Sequence, residues 1–458
     1  MASLNTPFSY EQLAEWDQRY VWHPFTQMKQ YAEVEPLIIE RGEGAFLFDT
    51  EGNSYIDGVS SLWVNVHGHR RPEIDEAIRG QLDQLAHSTL LGLANVPSIV
   101  LAKRLIEIAP AGLEHVFYSD NGSTAVEVAL KIAYQYWRQT DPPKAERSRF
   151  LAFSSAYHGD TVGSVSVGGI DLFHAAYRPL LFETLRAPYP YCYRCHLNKN
   201  YPDCEMACLK EVEELFHKNR DILAGVVIEP LVQGASGIIT APNGFLKRIR
   251  ELCDEYGTLL IADEVATGFG KTGTMFACEQ EDVVPDLMAL AKGISGGYLP
   301  LAATLVSENV YSAFWADYSE MKTFFHGHSY TGNPLGCAAA LATLDIFEKE
   351  KTLEQLAAKI KYFSTLLQEL KDLPHVGDIR QRGIMVGIEL VRDTATKEPY
   401  PWEEAIGIKV ILEARKHGVI IRPLGNVIIL MPPLCISENE LERLVQVTAK
   451  SIHTICGD

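Results

Sequence analysis

The sequence has no long apolar run: no stretch of 18 or more consecutive apolar residues occurs anywhere in its 458 residues. Because a helix that crosses a bilayer needs about 20 such residues, no transmembrane helix is expected. Residues 1–20 carry Glu11, Glu15 and Asp17 and lack the basic-then-apolar pattern of a secretory signal. These absences predict a cytoplasmic protein.

Positive charge is also scarce. The chain has 41 Lys and Arg against 59 Asp and Glu, a net charge of −18. Proteins that bind nucleic acid or an anionic membrane surface need a basic face, so neither partner is expected. The 47% hydrophobic and 22% charged residues are ordinary for globular proteins. We therefore expect a globular protein whose partners are small molecules.

Cysteine is limited to nine residues, most of them single residues in apolar runs, as expected for buried reduced thiols. Four others fall within 17 residues: Cys192, Cys195, Cys204 and Cys208. Their spacing could hold zinc or an iron–sulfur cluster. The alternative is a loop of free thiols with an occasional disulfide. No metal is assigned to the chain on this pattern.

Strand-like and helix-like segments alternate from about residue 95 to 330. Fully apolar strands in such a β-α-β alternation predict an α/β fold, with a mostly parallel sheet covered by helices on both faces. The predicted strands are Val116–Ser119, Arg149–Phe153, Gly225–Glu229, Thr258–Asp263, Leu287–Lys292 and Leu301–Val306. Helices are predicted at Ser123–Arg138 and from about Gly244 to Tyr256.

Both ends of the chain carry strand-like segments of another kind. Short strands punctuated by glycine are predicted at 37–40, 45–49 and 54–57, and further strands at Ile379–Leu390 and Val419–Leu430. We predict a large domain over residues 76–335. Residues 1–75 and 336–458 are predicted to build a smaller α+β domain together.

Two charged residues end apolar strands, Asp263 and Lys292. Burying either one alone costs several kcal/mol unless it is paired or covalently used. One interpretation is a buried structural ion pair. The other is pyridoxal phosphate held between them, with Lys292 forming a Schiff base and Asp263 pairing with the pyridinium nitrogen. Burial and neighbouring cations would lower the pKa of Lys292 enough for this role.

Further polar residues follow other strands: Asp120, Tyr157, His158 and Glu229. Ligands of open α/β sheets bind outside the carboxyl ends of the strands, so these residues are expected at one site. Ser119–Thr124 joins a strand to a helix N-terminus. It predicts either a phosphate cradle at Gly122 and Ser123 or a plain N-cap by Ser123 or Thr124.

These residues carry a family resemblance that runs nearly end to end. The chain resembles class III (fold type I) pyridoxal-phosphate aminotransferases, and within them the 7,8-diaminopelargonic acid synthases of biotin biosynthesis. The segments that carry the resemblance are 22–26 (WHPFT), 60–63 (SSLW), 120–123 (DNGS), 157–160 (YHGD), 229–230 (EP), 263–270 (DEVATGFG), 291–293 (AKG), 326–334 (HGHSYTGNP) and 422–425 (RPLG).

The resemblance implies a set of site residues. Lys292, Asp263 and Tyr157 would be catalytic. The cofactor would be bound by Gly122, Ser123, Tyr157, His158, Glu229, Asp263, Val265, Lys292, His328 and Ser329. The substrate would be bound by Phe25, Leu62, Trp63, Tyr157, Gly327 and Arg422.

The resemblance also implies a homodimer with shared active sites, in which His328 and Ser329 come from the neighbouring subunit. Glu229 would orient the region of Asp263. Two residues have plainer alternatives: Tyr157 as a core aromatic residue, and Arg422 as the partner of a nearby acid. His67 and His69 are expected to be hydrogen-bonded loop histidines rather than metal ligands.

The implied reaction converts 8-amino-7-oxononanoate to 7,8-diaminononanoate. Family members that use S-adenosylmethionine as donor usually have Tyr, paired Trp and Arg where this chain has Phe25, Leu62-Trp63 and Lys271. These departures favour the branch that takes L-lysine. The alternatives are another ω-aminotransferase for diamines or ω-amino acids, a pyridoxal-phosphate aminomutase or decarboxylase, and a metal-binding scaffold around the cysteine loop.

Overall fold

The computed structural model describes residues 7–457, so the first six residues of the predicted small domain and Asp458 lie outside the described part. The helices are α1 (Tyr10–Tyr20), α2 (Met28–Tyr31), α3 (Ser60–Trp63), α4 (Pro72–Leu82), α5 (Val96–Ile108), α6 (Gly122–Gln139), α7 (Val162–Val167), α8 (Asp171–His174), α9 (Leu209–Asn219), α10 (Phe245–Tyr256), α11 (Glu308–Tyr311), α12 (Pro334–Lys349), α13 (Thr352–Gln368), α14 (Ile406–Lys416) and α15 (Glu438–Cys456).

Short 3₁₀ turns lie at Ala175–Leu180, Cys192–Arg194, Ala277–Glu281, Lys292–Ser295, Ser312–Phe314, Tyr318–Glu320 and Trp402–Glu404. The strands are β1 (Ile39–Glu43), β2 (Phe46–Asp49), β3 (Ser54–Asp57), β4 (Leu113–Ser119), β5 (Arg149–Phe153), β6 (Thr184–Ala187), β7 (Leu223–Ile228), β8 (Val232–Gln233), β9 (Ile239–Thr240), β10 (Leu259–Asp263), β11 (Leu287–Leu290), β12 (Ala302–Ser307), β13 (Val376–Arg382), β14 (Met385–Asp393), β15 (Glu398–Pro399), β16 (Val419–Ile420), β17 (Arg422–Leu424) and β18 (Val427–Leu430).

Seven strands form the central sheet, in the order β4-β12-β11-β10-β7-β5-β6. The strands from β11 to β6 run parallel, whereas β12 is antiparallel to both of its neighbours. Side chains of β10 alternate between two core clusters, with Leu260 and Ala262 in one and Leu259 and Ile261 in the other. The predicted α/β fold with a mostly parallel, doubly covered sheet is confirmed.

The first helix after β4 begins one residue earlier than predicted. Asn121 caps α6: its side chain accepts a hydrogen bond from the N–H of Thr124 at 3.0 Å. Neither Ser123 nor Thr124 is the N-cap, so that alternative is wrong. Both lie in the first turn, because Asn is as good a cap as Ser and stands before the first helical residue.

The two chain ends meet in one small sheet. Its order is β1-β2-β3-β16, and β16 runs parallel to β3. A second sheet, β13-β14-β18-β17 with β15 beside β14, comes from the C-terminal part alone. This arrangement agrees with a small domain built from both ends, whose limits stay a prediction.

Two predicted strands are wrong in detail. The segment predicted as one strand from Ile379 to Leu390 is a hairpin of β13 and β14 that turns at Gly383, where φ is 62°. The segment Val419–Leu430 holds three short strands rather than one. Each segment contains a turn marked by a glycine with positive φ, Gly383 in the first and Gly425 in the second. No helix within residues 7–457 is long and apolar enough to span a membrane.

Candidate active site

Asp263 and Lys292 lie at neighbouring strand ends. Asp263 is the last residue of β10, and it pairs in register with Ala289 of β11. Lys292 lies two residues after the end of β11 and begins a 3₁₀ turn with a φ of 47°. The parallel register therefore brings the two predicted residues to the same edge of the sheet.

The two residues do not form a structural ion pair. Asp263 Oδ2 lies 2.7 Å from Nδ1 of His158, and Oδ1 accepts from the N–H of Val265 at 3.1 Å. The Nζ atom of Lys292 lies 4.7 Å from the centroid of the Trp63 ring. Among the described residues Lys292 has no carboxylate within ion-pair distance. Its amine is thus available for chemistry.

The environment of Lys292 favours its neutral form. Loss of hydration lowers the pKa of the Lys292 ammonium, while the charges of Asp263 and Glu229 act in the opposite direction. Burial wins because an ammonium loses more from desolvation than distant carboxylates return. A lowered pKa makes the neutral amine of a lysine more accessible, and that amine can act as a nucleophile or a base.

Glu229 is buried behind the site and carries a perturbed carboxyl. Burial raises the pKa of Glu229 to about 7, with Asp263 adding to the effect and His158 opposing it. Its oxygens accept hydrogen bonds from the N–H groups of Tyr157 at 3.0 Å and Gly234 at 2.9 Å. Glu229 therefore holds two backbone segments, and it acts on Asp263 only through charge.

Tyr157 is half-buried, so it is not a core aromatic residue. Its ring lies parallel to that of His174, with centroids 6.5 Å apart, and edge-on to Phe173 at 6.2 Å. Its hydroxyl donates to Asp160 Oδ2 at 2.7 Å. Desolvation first, and then this hydrogen bond, raises the pKa of Tyr157, so the phenol stays protonated.

The N-terminus of α6 faces the same region. The first N–H groups of a helix have no partner inside it. The side chain of Asn121 accepts from the N–H of Thr124, and its carbonyl accepts from the N–H of Ala125. The N–H groups of Gly122 and Ser123 are left for a ligand. A Cβ added at Gly122 would come within 2.5 Å of Val265 Cγ1, so only glycine allows this approach. The helix end suits a phosphate.

The assembled residues fit pyridoxal phosphate. A helix N-terminus can hold its phosphate, Asp263 can pair with its ring nitrogen, and Lys292 can bind its aldehyde carbon. Nε2 of His158 and Nε1 of Trp63 are buried and have no hydrogen-bond partner within residues 7–457. Such orphaned polar atoms are what a ligand-binding site leaves for its ligand.

Four of the six predicted substrate residues come from the chain ends: Phe25, Leu62, Trp63 and Arg422. The Phe25 ring lies 5.2 Å from that of Phe173, and Leu62 is half exposed whereas Trp63 is buried. Arg422 begins β17 and is partly buried, which lowers the pKa of its guanidinium; the nearby Tyr157 opposes this. Among the described residues no acid pairs with Arg422. The alternative that Arg422 is only the partner of a nearby acid is therefore not supported.

The predicted partner-subunit residues lie on an exposed loop. His328 Nε2 is 4.0 Å from Oδ1 of Asp120 in the same chain, and Ser329 is exposed. A Cβ added at Gly327 would meet open space. The structure thus brings this loop to the start of α6, and its contribution to a second subunit stays a prediction.

The cysteine loop lies apart from these residues. Its four thiols line a small cavity together with His196 and Tyr191, and all four are free. Within residues 7–457 no three or more His, Cys, Asp or Glu side chains are arranged to hold a metal ion. His67 and His69 bond instead to the carbonyl of Thr343 at 3.0 Å and to Asp57 at 2.9 Å.

Sequence reasoning missed several residues of the site. Phe173 bridges Phe25 and Tyr157, and Asp160 binds the Tyr157 hydroxyl. Asp160 stood in the same four-residue motif as Tyr157, a signal that could have found it. Nothing local marks Phe173, which reaches the site through tertiary packing alone.

The comparisons agree with this geometry. A family model described as aminotransferase class-III matches residues 27–452. A protein of Geobacter sulfurreducens named adenosylmethionine-8-amino-7-oxononanoate aminotransferase is 59% identical over 98% of this chain and 99% of its own length.

Solved structures give the same result. A crystal structure of an enzyme with that name from Methanocaldococcus jannaschii is 48% identical, with a TM-score of 0.93 over 98% of this chain and all of the other. An (S)-enantioselective omega-transaminase from Thermomicrobium roseum is 36% identical, also at 0.93, over 98% and 99%. The chain therefore belongs to the class III aminotransferases, which are pyridoxal-phosphate-dependent enzymes.

Proposed function

We propose that this aminotransferase converts 8-amino-7-oxononanoate to 7,8-diaminononanoate in biotin biosynthesis. The names of the relatives at 59% and 48% identity support this acceptor. The observation that carries the proposal is Arg422, a partly buried guanidinium without an acidic partner among residues 7–457. A planar cation in such a setting suits the carboxylate of an oxo acid.

The chemistry divides between cofactor and chain. Bound pyridoxal phosphate would supply a ring that acts as an electron sink for the transfer of an amino group between two substrates. Lys292 would hold the cofactor through its Nζ, and the same amine would move protons at the reacting carbons. Asp263, held by His158 and the N–H of Val265, would pair with the ring nitrogen.

The remaining residues orient the substrate. Arg422 binds the carboxylate, while Trp63 and Phe25, with Phe173 beside Tyr157, form apolar surfaces for an alkyl chain. Glu229 fixes the backbones of Tyr157 and Gly234. These rigid contacts would keep water away from the reacting atoms.

A homodimer with shared sites belongs to the same proposal. Exposed large apolar side chains are frequent in two segments, about 91–100 and 315–330, as they are in residues 8–25. They include Leu91, Leu93, Val96, Trp315 and Phe325. Exposed apolar surface of this extent marks an interaction site, and a second copy of the chain is the simplest occupant. His328 and Ser329 lie in the second segment, so such a dimer would bring them toward the neighbouring site.

The relatives' names point to S-adenosyl-L-methionine as amino donor, and we propose this donor. L-lysine stays a prediction from sequence, and part of its support is lost. Lys271 is 1% exposed and donates to Ser60 Oγ and to the carbonyl of Asn65, both at 2.8 Å. Lys271 therefore does not contact the amino donor. Only Phe25 and Leu62 still favour L-lysine as the amino donor.

The test is a half-reaction. The cofactor-loaded protein is mixed with S-adenosylmethionine or with lysine, and loss of the bound-cofactor absorbance is followed. Conversion by S-adenosylmethionine is expected. Conversion by lysine alone would overturn the proposed donor, and the Phe25→Tyr and Leu62→Trp variants would then be expected to shift the preference toward S-adenosylmethionine.

The second half-reaction tests the acceptor. Addition of 8-amino-7-oxononanoate should restore the original absorbance. The second candidate is an ω-aminotransferase for other amines, favoured by the likeness to the Thermomicrobium roseum structure. Restoration by simple ω-oxo compounds without restoration by 8-amino-7-oxononanoate would establish it instead.

A further inference from the structure

The one-turn segment α3 is left-handed. Ser60, Ser61, Leu62 and Trp63 have φ values of 50°, 47°, 68° and 71°, and none is glycine. Four consecutive residues in this region are strained, because each Cβ crowds the following carbonyl. Such a conformation persists only where the surroundings over-determine it.

Asp57 holds the outer side of the turn. It is the last residue of β3 and is fully buried. Its Oδ1 accepts from the N–H of Ser61 at 2.9 Å, and its Oδ2 accepts from the Ser61 hydroxyl at 2.7 Å. His69 Nε2 lies 2.9 Å from the same Oδ2 and fixes the carboxylate from behind.

Ser60 fixes the inner side. Its hydroxyl donates to the carbonyl of Met431 at 2.6 Å and accepts from Lys271 Nζ at 2.8 Å. Lys271 also donates to the carbonyl of Asn65, just beyond the turn, at 2.8 Å. The turn is thus held at both sides by groups that lie outside the site.

The consequence reaches the reacting lysine through Trp63. The ring of Trp63 lies 4.7 Å from Lys292 Nζ, and a Cβ added at Gly234 would meet its Cζ3 atom at 3.1 Å. Gly234 is in turn bound to Glu229. Since Trp63 closes α3, a change in the turn would move the ring against both Lys292 and Gly234.

We propose that Asp57, oriented by His69, is a positioning residue that holds α3 in its left-handed form and so places Trp63 against Lys292. This role rests on the proposed transaminase function. The Asp57 carboxylate is hydrogen-bonded neither to the site lysine nor to a residue expected to bind substrate; it reaches α3 through the backbone N–H and the hydroxyl of Ser61.

The test compares Asp57→Asn with its rescue by glycine. The asparagine side chain keeps one oxygen as an acceptor, but its N–H₂ group replaces the oxygen that faces the Ser61 hydroxyl and His69. The substitution therefore loosens the turn. We expect kcat/KM to fall about 10- to 100-fold, as small misplacements near a reacting centre do. Adding Ser61→Gly should restore most of this loss, because glycine adopts positive φ without strain. Failure of the glycine rescue would overturn the proposal.

A second readout does not need turnover. Acrylamide quenching of tryptophan fluorescence is measured in the cofactor-free protein. Asp57→Asn should increase quenching, and the same substitution in a Trp63→Phe background should leave it unchanged. Equal increases in both backgrounds would mean general loosening and would overturn the assignment. This readout stands even if 8-amino-7-oxononanoate is not the acceptor, so the two proposals can fail separately.

Asp49 offers a matched control. It is a buried carboxylate at the end of β2 that accepts from the N–H groups of Asn53 at 2.8 Å and Glu51 at 3.0 Å. Asp49→Asn should lower stability without changing Trp63 quenching. If Asp57→Asn does not fold, His69→Leu can replace it, and we expect a smaller fall in kcat/KM and a smaller increase in tryptophan quenching. An unchanged kcat/KM in His69→Leu would contradict the proposal.

Discussion

The two sides of the active site are built differently. On the sheet side, Asp263 and Lys292 stand at the ends of adjacent parallel strands, and the helix N-terminus of α6 lies beside them. On the other side, Phe25, Leu62 and Trp63 come from the N-terminal end, and all three have positive φ. Of Asp263 and Lys292 only Lys292 has a positive φ, so the sheet side follows mainly from regular secondary structure, whereas the other side follows from strained turns held by tertiary contacts.

This difference suggests a division of labour. Strand ends are rigid and fix the atoms that carry out the chemistry, which every class III aminotransferase shares. Turns can vary in sequence without disturbing the sheet, and residues on them are suited to select substrates. Substitutions on the sheet side should therefore abolish reaction, whereas those on the turn side should change which substrate is used and how tightly.

Lys292→Ala should have the largest effect. Without the amine the cofactor cannot be held covalently, and no base remains at the reacting carbon. We expect kcat to fall by at least about 10⁴-fold. Steady-state rates and the absorbance of the loaded protein measure both consequences. The substitution removes a buried amine that has no ion pair within residues 7–457, so the melting temperature should not fall, and multiple turnovers by the variant would contradict the assignment.

Arg422→Ala should have an intermediate effect on the opposite side. Loss of a charge-assisted hydrogen bond to the acceptor carboxylate should raise the KM for 8-amino-7-oxononanoate by about 10- to 100-fold. The matched control is Arg422→Lys, which keeps the charge but not the planar fork and should recover only part of the loss. The same comparison with an acceptor lacking a carboxylate should show no penalty, and a penalty of equal size there would rule out the carboxylate contact.

The sequence predicted the sheet side of the site because its signals are local. An apolar run followed by one charge places Asp263 and Lys292 at strand ends, and parallel pairing then brings them together. The turn side depended on the family resemblance. No residue of Ser60–Trp63 is glycine, so no glycine signal indicates a left-handed turn; its form depends on Asp57, four residues before Ser61, and on Lys271 and Met431, which are distant in sequence. Phe173 was missed because only tertiary packing brings it to the site, whereas the N-cap was placed two or three residues too late because Asn121 caps as well as a serine or threonine would.

Glu229→Gln should have the smallest effect, and the size of this effect on stability depends on pH. The Glu229 carboxyl has a pKa raised to about 7 from an ordinary 4.5. In the unfolded chain it ionises near 4.5, whereas the folded protein retains the proton up to about 7. Its contribution to folded stability is therefore full below 4.5 and is lost as pH rises through 7.

The glutamine side chain of this variant cannot titrate and can accept only one of the two backbone hydrogen bonds. In the cofactor-free protein the variant should have a lower melting temperature than the wild type at pH about 5. This difference in melting temperature should become smaller toward pH about 8. The pKa of Asp49 is lowered, so this carboxyl does not titrate between pH about 5 and about 8. The difference in melting temperature between the wild type and Asp49→Asn should therefore stay constant over this pH range. A difference in melting temperature that stays constant with pH for Glu229→Gln would mean that the Glu229 carboxyl is already ionised in the folded state. Glu229 would then hold Tyr157 and Gly234 as an anion, and it would add a second fixed negative charge behind Asp263.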